Sequence, residues 1–480
     1  MVLIRVDPAI LEFGDKYLEI ACILESVAGG DGPYGDQKIF FDSWAGEEKA
    51  LPEIYHRSIS GTIRELAKKS GEARDEASRL KYIGLLNLRR REFAGMVENV
   101  MAREGVFSLI RDLEDIALKI EDPIKQQTRI DQVNGLNALT LVLYHDIGFS
   151  GYCPTFPQIV ETMTGISPPM IPTREEIDKK RDEISSLLFK RRYEPHFGRQ
   201  YTAEEGFMDQ LSAWRKDLGL LSKEQMLGAY QKGVIKLIKA IKGKTTGFPE
   251  EAEVKVVTPS MTGTDRFIGG SFDYGRGGPY KAESRIVPDD TSTLIDVATT
   301  IAHEIGSHYR LSVLWDQYQR LCGGDKFAAT GTMCSNIAIT HEGLTSQGTK
   351  IYEKELVEIY GDKIMQDVVI AQKLEELAVA MLPFEINRKY HLQDITPGKM
   401  IAEFIAYGVT EGRSRRRTAG IFEPSRRPVT LTYSGVAYGQ GSEFMGHLID
   451  RYGPKIVLEG CTEPISLAAL SKSLENAGGK

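Results

Sequence analysis

Apolar residues recur at helical spacing over long stretches of the chain. Residues 58–121 and 203–241 are rich in Leu, Ala, Glu, Arg and Lys and read as amphipathic helices. Gly29-Gly30-Asp31-Gly32-Pro33 breaks the pattern, and so does 165–174 with Pro168, Pro169 and Pro172. Further along, the period shortens. Val254-Lys255-Val256-Val257 alternates, 266–274 carries two glycines, and 280–287 alternates in part, with 275–279 as a turn. These runs predict a small antiparallel sheet whose edge strand could pair with an extended peptide. Helical spacing returns at Leu294, Val297, Ala298, Ile301 and Ile305, behind candidate caps Asp290, Thr291 and Ser292. The expected fold class is α+β, predominantly helical. Residues 1–245 form a mainly helical N-terminal region and 246–480 a mixed region beginning with the sheet, and no internal repeat is visible.

Composition narrows the class. A chain of 480 residues, 41% hydrophobic and 26% charged, has ordinary globular values and ample material for a large core. The first residues, Met1 to Asp7, are soon followed by Glu12 and Asp15, so the uninterrupted apolar core of a signal peptide is missing. No apolar run approaches the ~20 residues needed to span a bilayer. Cysteines at 22, 153, 322, 334 and 461 are odd in number and form no close pair, which argues for free thiols in a reducing, cytoplasmic compartment. The net charge of -7 disfavours nucleic acid as a partner, and no membrane partner is expected.

The candidate chemistry sits at the end of the 294–305 helix, in His303-Glu304-Ile305-Gly306-Ser307-His308. Neutral imidazoles are good zinc ligands, and a glutamate beside the first can act as base toward water that the ion has acidified. The two histidines are five positions apart, not the four of the common zinc-protease helix. On an ideal helix the second would lie about 140° around from the first, too divergent for one ion. A π-bulge at Gly306-Ser307 would restore convergence. The plainer alternative is one exposed and one half-buried histidine with no metal.

Two histidines leave a tetrahedral catalytic site one protein ligand short. Glu342, in Thr340-His341-Glu342-Gly343-Leu344, is the best candidate, with Gly343 permitting close backbone approach. Glu375 and Glu376 are the reserves, and His341 fits a supporting position rather than a ligand. The alternative for Glu342 is a surface residue ahead of a charged helix at 350–359. His56, His145, His196, His391 and His447 are scattered and show no ligand spacing.

His303 to His308 followed by Glu342-Gly343-Leu344 resembles the zinc metallopeptidase family of the microtubule-associated tyrosine carboxypeptidases and the bacterial proteins named for a Gln-Glu-Gly-Leu-Ala motif. The likeness is clearest over residues 254–355. It implies a zincin-like fold, Zn2+ held by His303, His308 and Glu342, Glu304 as catalytic base, and a metallocarboxypeptidase-like activity. His341 and Thr345 stand where that family's second motif has Gln and Ala. The family also carries a basic segment followed by a lysine-bearing motif and a tyrosine. Here the corresponding Thr430-Leu431-Thr432-Tyr433-Ser434-Gly435 retains only the tyrosine.

A carboxypeptidase must hold a free carboxylate, which a guanidinium does with two parallel hydrogen bonds. Residues 411–428 carry Arg413, Arg415, Arg416, Arg417, Arg426 and Arg427 against Glu411 and Glu423. Arg415, Arg416 and Arg427 are the expected substrate-binding residues and Tyr433 a candidate donor to the oxyanion. The expected reaction is zinc-assisted peptide hydrolysis at a peptide or protein C-terminus. Glu304 takes a proton from water and returns it to the leaving amine. A zinc exopeptidase of the dipeptidyl-peptidase type, using Glu375-Glu376, is an alternative, as is a non-hydrolytic interaction protein on the same fold. Tubulin as substrate stays open, since this acidic chain has no long basic arm of the kind a lattice binder would carry.

Overall fold

The computed structural model describes residues 7–28, 69, 75–147, 155–193, 206–258, 270–274, 279–287, 292–321, 336–392, 395–422 and 433–478. Within them the chain is α+β and predominantly helical, as expected. The first half supplies α1 (Pro8–Ala28), α2 (Glu76–Arg103), α3 (Val106–Ala117), α4 (Pro123–Ile147), α5 (Phe156–Thr164), α6 (Arg174–Tyr193), α7 (Phe207–Asp217) and α8 (Lys223–Lys244). Their apolar stripes make them. In α8, Met226, Tyr230, Gly233, Val234, Leu237 and Ile241 face inward at helical spacing, and Ser222 with Gln225 forms a capping box. The break expected at 165–174 separates α5 from α6. Residues 29–33 lie outside the described residues, as does 58–74 apart from Lys69.

The sheet differs from expectation. Strands β1 (Glu253–Val257), β2 (Gly270–Tyr274) and β3 (Lys281–Ile286) are ordered β1-β3-β2. β2 pairs antiparallel with β3, but β1 pairs parallel with β3, so the sheet is mixed. Alternation marks a strand without naming its neighbour. Parallel register sets half-buried Val254 and Val256 beside buried Ala282 and Ser284, which continues β3's inward face across the sheet.

After the sheet come α9 (Leu294–His303), a π-helical turn (Glu304–Tyr309) and α10 (Arg310–Leu321). The cap of α9 is Thr293, which forms a capping box with Asp296, and not Ser292; Asp290 and Thr291 lie outside the described residues. The threonine wins because its hydroxyl accepts from the Asp296 amide while the Asp296 carboxylate reaches back to the Thr293 amide. Next are α11 (Asn336–Ser346), α12 (Gly348–Ile351), α13 (Glu353–Tyr360) and the long α14 (Asp362–Leu392). The charged helix expected over 350–359 is thus two short helices broken at Tyr352. The chain closes with α15 (Pro397–Ala406), α16 (Glu411–Phe422), a second π-helical segment (Tyr433–Gly441), α17 (Ser442–Tyr452), α18 (Pro454–Gly460) and α19 (Leu467–Gly478). One hydrophobic core runs from Phe13 through Tyr230, Ile301 and Met381 to Leu474. Among the described residues, no helix is long and apolar enough to cross a membrane.

Helix α11 is held at both ends. At its start, Asn336 donates to the Asp131 carbonyl, the Ile337 amide donates to Gln132 Oε1, and the Asp131 carboxylate accepts from Gln127 and Ser466. Near its far end it crosses the second π-helical segment backbone to backbone: a Cβ on Gly343 would stand 2.5 Å from the Gly441 carbonyl oxygen. No side chain fits there.

Two outcomes follow from this packing. Gly343→Ala is expected to cost about 3 kcal/mol by overpacking against main chain, read as a lowered denaturation midpoint. Burial raises the Asp131 carboxyl to about 6, above its unfolded value of ~3.9. The folded state therefore binds the extra proton, and stability from this group is full below pH ~4 and lost as pH rises through about 6. Denaturation of Asp131→Asn across that window should show a flatter pH dependence than the wild type, by about 2–3 kcal/mol end to end.

Candidate metal centre

His303 ends α9 and His308 lies within the π-helical turn Glu304–Tyr309, where the expected bulge at Gly306-Ser307 is found. Backbone hydrogen bonds that span five residues swing the fifth residue back over the first. His303 and His308 therefore converge, their Nε2 atoms 3.2 Å apart. Glycine is required at the middle of the turn. A Cβ on Gly306 would lie 2.7 Å from the Tyr352 ring.

Glu342, from α11, completes the group. Its Oε2 lies 3.7 Å from His308 Nε2, and one ligand atom from each of His303, His308 and Glu342 lies within 4.8 Å of the others. Two donors each ~2.1 Å from one ion at the tetrahedral angle would stand about 3.4 Å apart, so the spacing suits zinc. The donor chemistry suits it too. Burial lowers the pKa of both His303 and His308, keeping their lone pairs free. Glu342 is buried, which removes the reading of it as a surface glutamate.

The outer contacts orient the ligands. His308 Nδ1 lies 3.1 Å from His341 Nε2, and His341 packs beside the Trp315 ring at 5.2 Å between centroids. Burial, then the neighbouring His308, drives His341 down to about 3, so it is neutral. Thr345 Oγ1 lies 3.3 Å from Glu342 Oε2, and the Thr345 backbone hydrogen-bonds to His303. Glu304 is raised to about 8 by burial and by the charge of Glu342. A cation between the three ligands would draw it back toward the ionised form that a base needs.

The other expected site residues divide. Glu375 is not among the converging ligand atoms: its carboxylate is gripped by Arg413 through both Nη atoms, with Arg417 Nη2 3.5 Å away. Burial would raise Glu375, but the charge and hydrogen bonds of Arg413 together with the charge of Arg417 outweigh it, and the carboxyl stays below its ordinary value. Its field reaches His303, which puts this ion cluster beside the candidate ligands. Glu376 accepts from Gln372 at 3.1 Å and pairs with Lys373.

Arg415 and Arg416 do not join the site. Both are exposed on α16, and Arg415 pairs with Glu411 on the same face. Since 411–422 is helical, Arg413 and Arg417, four apart, share the inward face and the two arginines between them look out. Arg427 and Arg426 lie outside the described residues. Tyr433 begins the second π-helical segment, and the placement of its side chain is outside the description. Tyr438 of that segment lies within electrostatic reach of both Arg413 and Arg417. Arg413 and Arg417 belong to the arginine-rich segment but not to the three expected to bind substrate, and a helical reading of 411–422 separates them from Arg415 and Arg416; Tyr438 is not singled out by the sequence. His447 is exposed near Glu443, His56 and His196 lie outside the described residues, and the side chains of His145 and His391 are not described. Cys461 is a buried free thiol, and the other four cysteine side chains lie outside the description.

No family model and no curated protein matches the chain. Among solved structures it is similar to "the putative lipoprotein from Colwellia psychrerythraea", at 12% identity, covering 98% of this chain and 99% of that one with a TM-score of 0.53. That likeness is one of fold. The class defined here is a predominantly helical α+β protein with a histidine and glutamate cluster of metal-site geometry.

The ligand assignment gives a direct expectation. Elemental analysis should find one zinc per chain in the wild type, lost in Glu342→Gln and retained in Glu375→Gln; the reverse pattern would move the third ligand to the Glu375-Glu376 pair.

Proposed function

We propose that this chain is a zinc-dependent metallopeptidase of the zincin type that removes C-terminal residues from peptides or proteins in the cytoplasm, related to the tyrosine carboxypeptidase-like family its motifs resemble. The observation that carries the reading is the convergence of His303, His308 and Glu342 around a space of zinc dimensions, with Glu304 next to the first ligand. Zinc bound there supplies Lewis acidity, polarising a scissile carbonyl and acidifying water. The chain's own groups supply the rest. Glu304 takes the proton of the attacking water and delivers it to the departing amine. Thr345 and His341 hold the ligands in orientation.

The substrate carboxylate falls to Arg413 and Arg417 in place of Arg415 and Arg416. Burial, and then the like charge of Arg413, lowers Arg417 to about 9, so this cluster gains from a further anion. Glu375 already holds the Arg413 fork in a fixed orientation. That engagement also counts against the dipeptidyl-peptidase alternative, whose third ligand would be taken from this pair. The edge strand β2, which packs beside the π-helical turn, is the candidate to pair with the extended substrate.

The test is release of C-terminal amino acids from a peptide library by zinc-loaded protein. Glu304→Gln should keep its zinc and lose about 10²–10⁴-fold in turnover. Arg413→Ala should lower kcat/KM for free-carboxylate peptides by about 10–100-fold, while C-terminally amidated peptides, already poor for the wild type, lose little more. Zinc without release from any peptide would favour the non-hydrolytic interaction protein.

A further inference from the structure

Glu385 of α14 is fully buried and is paired, among the described residues, with Arg388 one turn along the same helix. Arg388 Nη1 lies 3.0 and 3.2 Å from its two carboxyl oxygens. The same nitrogen donates at 2.7 Å to Glu403 Oε2 of α15, so carboxyl groups from two helices meet on one arginine nitrogen. The two are also hydrogen-bonded to each other. Ionised carboxylates only accept hydrogen bonds and repel at this separation, so a bond between them requires a proton on one.

The surroundings decide which carboxyl holds it. Glu403 accepts a further bond, from Arg174 Nη1 of α6 at 3.2 Å, and its side chain is partly open to solvent. Burial would raise it, but the hydrogen bonds of Glu385, Arg388 and Arg174 with the Arg388 charge outweigh burial and hold it below its ordinary value. Glu385 is shut away from solvent. Burial, then the hydrogen bond and charge of Glu403, raises it to about 8. Other charges nearby are engaged. Asp178 of α6 pairs with Arg174 and accepts from the Tyr407 hydroxyl, Lys389 donates to the Ile421 carbonyl, and Glu443 of α17 pairs with Lys180. The segment Tyr433–Gly441 has no charged residue, and α5 has only Glu161, which is exposed. From α9, α12 and α13, Asp296 is taken by its cap, Lys350 by Asp450 and Glu355 by Lys244.

We propose that Glu385 and Glu403 share one proton, carried by Glu385 and donated to Glu403, and that this proton latches α15 to α14. Losing it puts two anions on one arginine nitrogen and leaves α15 to its buried apolar anchors Met400 and Phe404. A detached glutamate gives up its proton near pH ~4.3. The folded pair keeps it, so the stability that Glu385 contributes is full below that pH, falls as pH rises and is gone above about 8. Helix α15 packs on α16, which carries Arg413 and Arg417, so loosening at the latch reaches that arginine pair. The latch uses no metal ligand and is independent of the peptidase reading.

The experiment is hydrogen exchange of residues 397–406 in the full-length protein across neutral and mildly alkaline pH, corrected for the intrinsic pH dependence of exchange, beside infrared difference spectra. In the wild type the opening constant of α15 should rise about tenfold per pH unit up to about 8 and level off above it. Glu385→Gln keeps a donor for Glu403 without a titrating group. Its opening constant should be flat over that range, and the difference spectrum between wild type and variant at neutral pH should show the carbonyl stretch of a protonated carboxylic acid. Glu403→Gln removes the like charge, and the step should move about one pH unit toward acid. A wild-type opening constant independent of pH, the same pH dependence in Glu385→Gln, or a step unmoved in Glu403→Gln would each overturn the proposal; where Glu385→Gln fails to fold, Glu403→Gln carries the test.

Discussion

A helix that takes five residues to return to the same face must be held from outside. The π-helical turn Glu304–Tyr309 is what lets His303 and His308 face one point, and ordinary α-helical bonding would turn them apart. The surrounding structure holds it. The Tyr352 ring presses on Gly306, and a Cβ on Gly348 would clash with the Ala302 carbonyl oxygen, so the start of α12 lies at main-chain distance against the end of α9, just before the turn. The break between α12 and α13 is what frees Tyr352 to reach Gly306. Most of α10 is buried, which opposes sliding of the helix to shed the extra residue.

The third candidate ligand depends on a different contact, that of α11 with the second π-helical segment. Gly343 and Gly441 remove the side chains that would separate the two backbones, and Glu342 is brought under His308 as a result. The chain departs from the motif it resembles at His341 and Thr345, and both residues touch the ligand groups, one at His308 Nδ1 and the other at Glu342 Oε2. The departures thus sit in the layer that orients the ligands. Burial then sets the charge state. It leaves three imidazoles neutral and raises Glu304, an arrangement that a divalent cation would complete.

Charge is distributed against the average of the chain. The net charge of -7 coexists with Arg413 and Arg417 gathered on Glu375, whose field reaches His303. The side chains of Arg413 and Glu375 remain 40% and 44% exposed although paired.

The sequence by itself determined the helical character of most of 206–241 and of 294–303, strands at 253–257, 270–274 and 281–286, the need for a π-bulge at Gly306-Ser307, and the choice of Glu342 beside a glycine as the residue to meet the histidines. These are consequences of local period, ligand valence and the geometry of a single helix, all of which operate within a few residues. Tertiary structure decided what depends on a partner distant in the chain. It made β1 pair parallel with β3, because alternation fixes a face and not a neighbour. It chose Arg413 and Arg417 over Arg415 and Arg416, because the inward side of α16 is defined only by what it packs against. It set Glu375 on an arginine fork and Glu342 among histidines, although both are glutamates on helices. And it left Arg310 buried with one Nη atom unpartnered, since burial belongs to the packed molecule and not to any stretch of its chain.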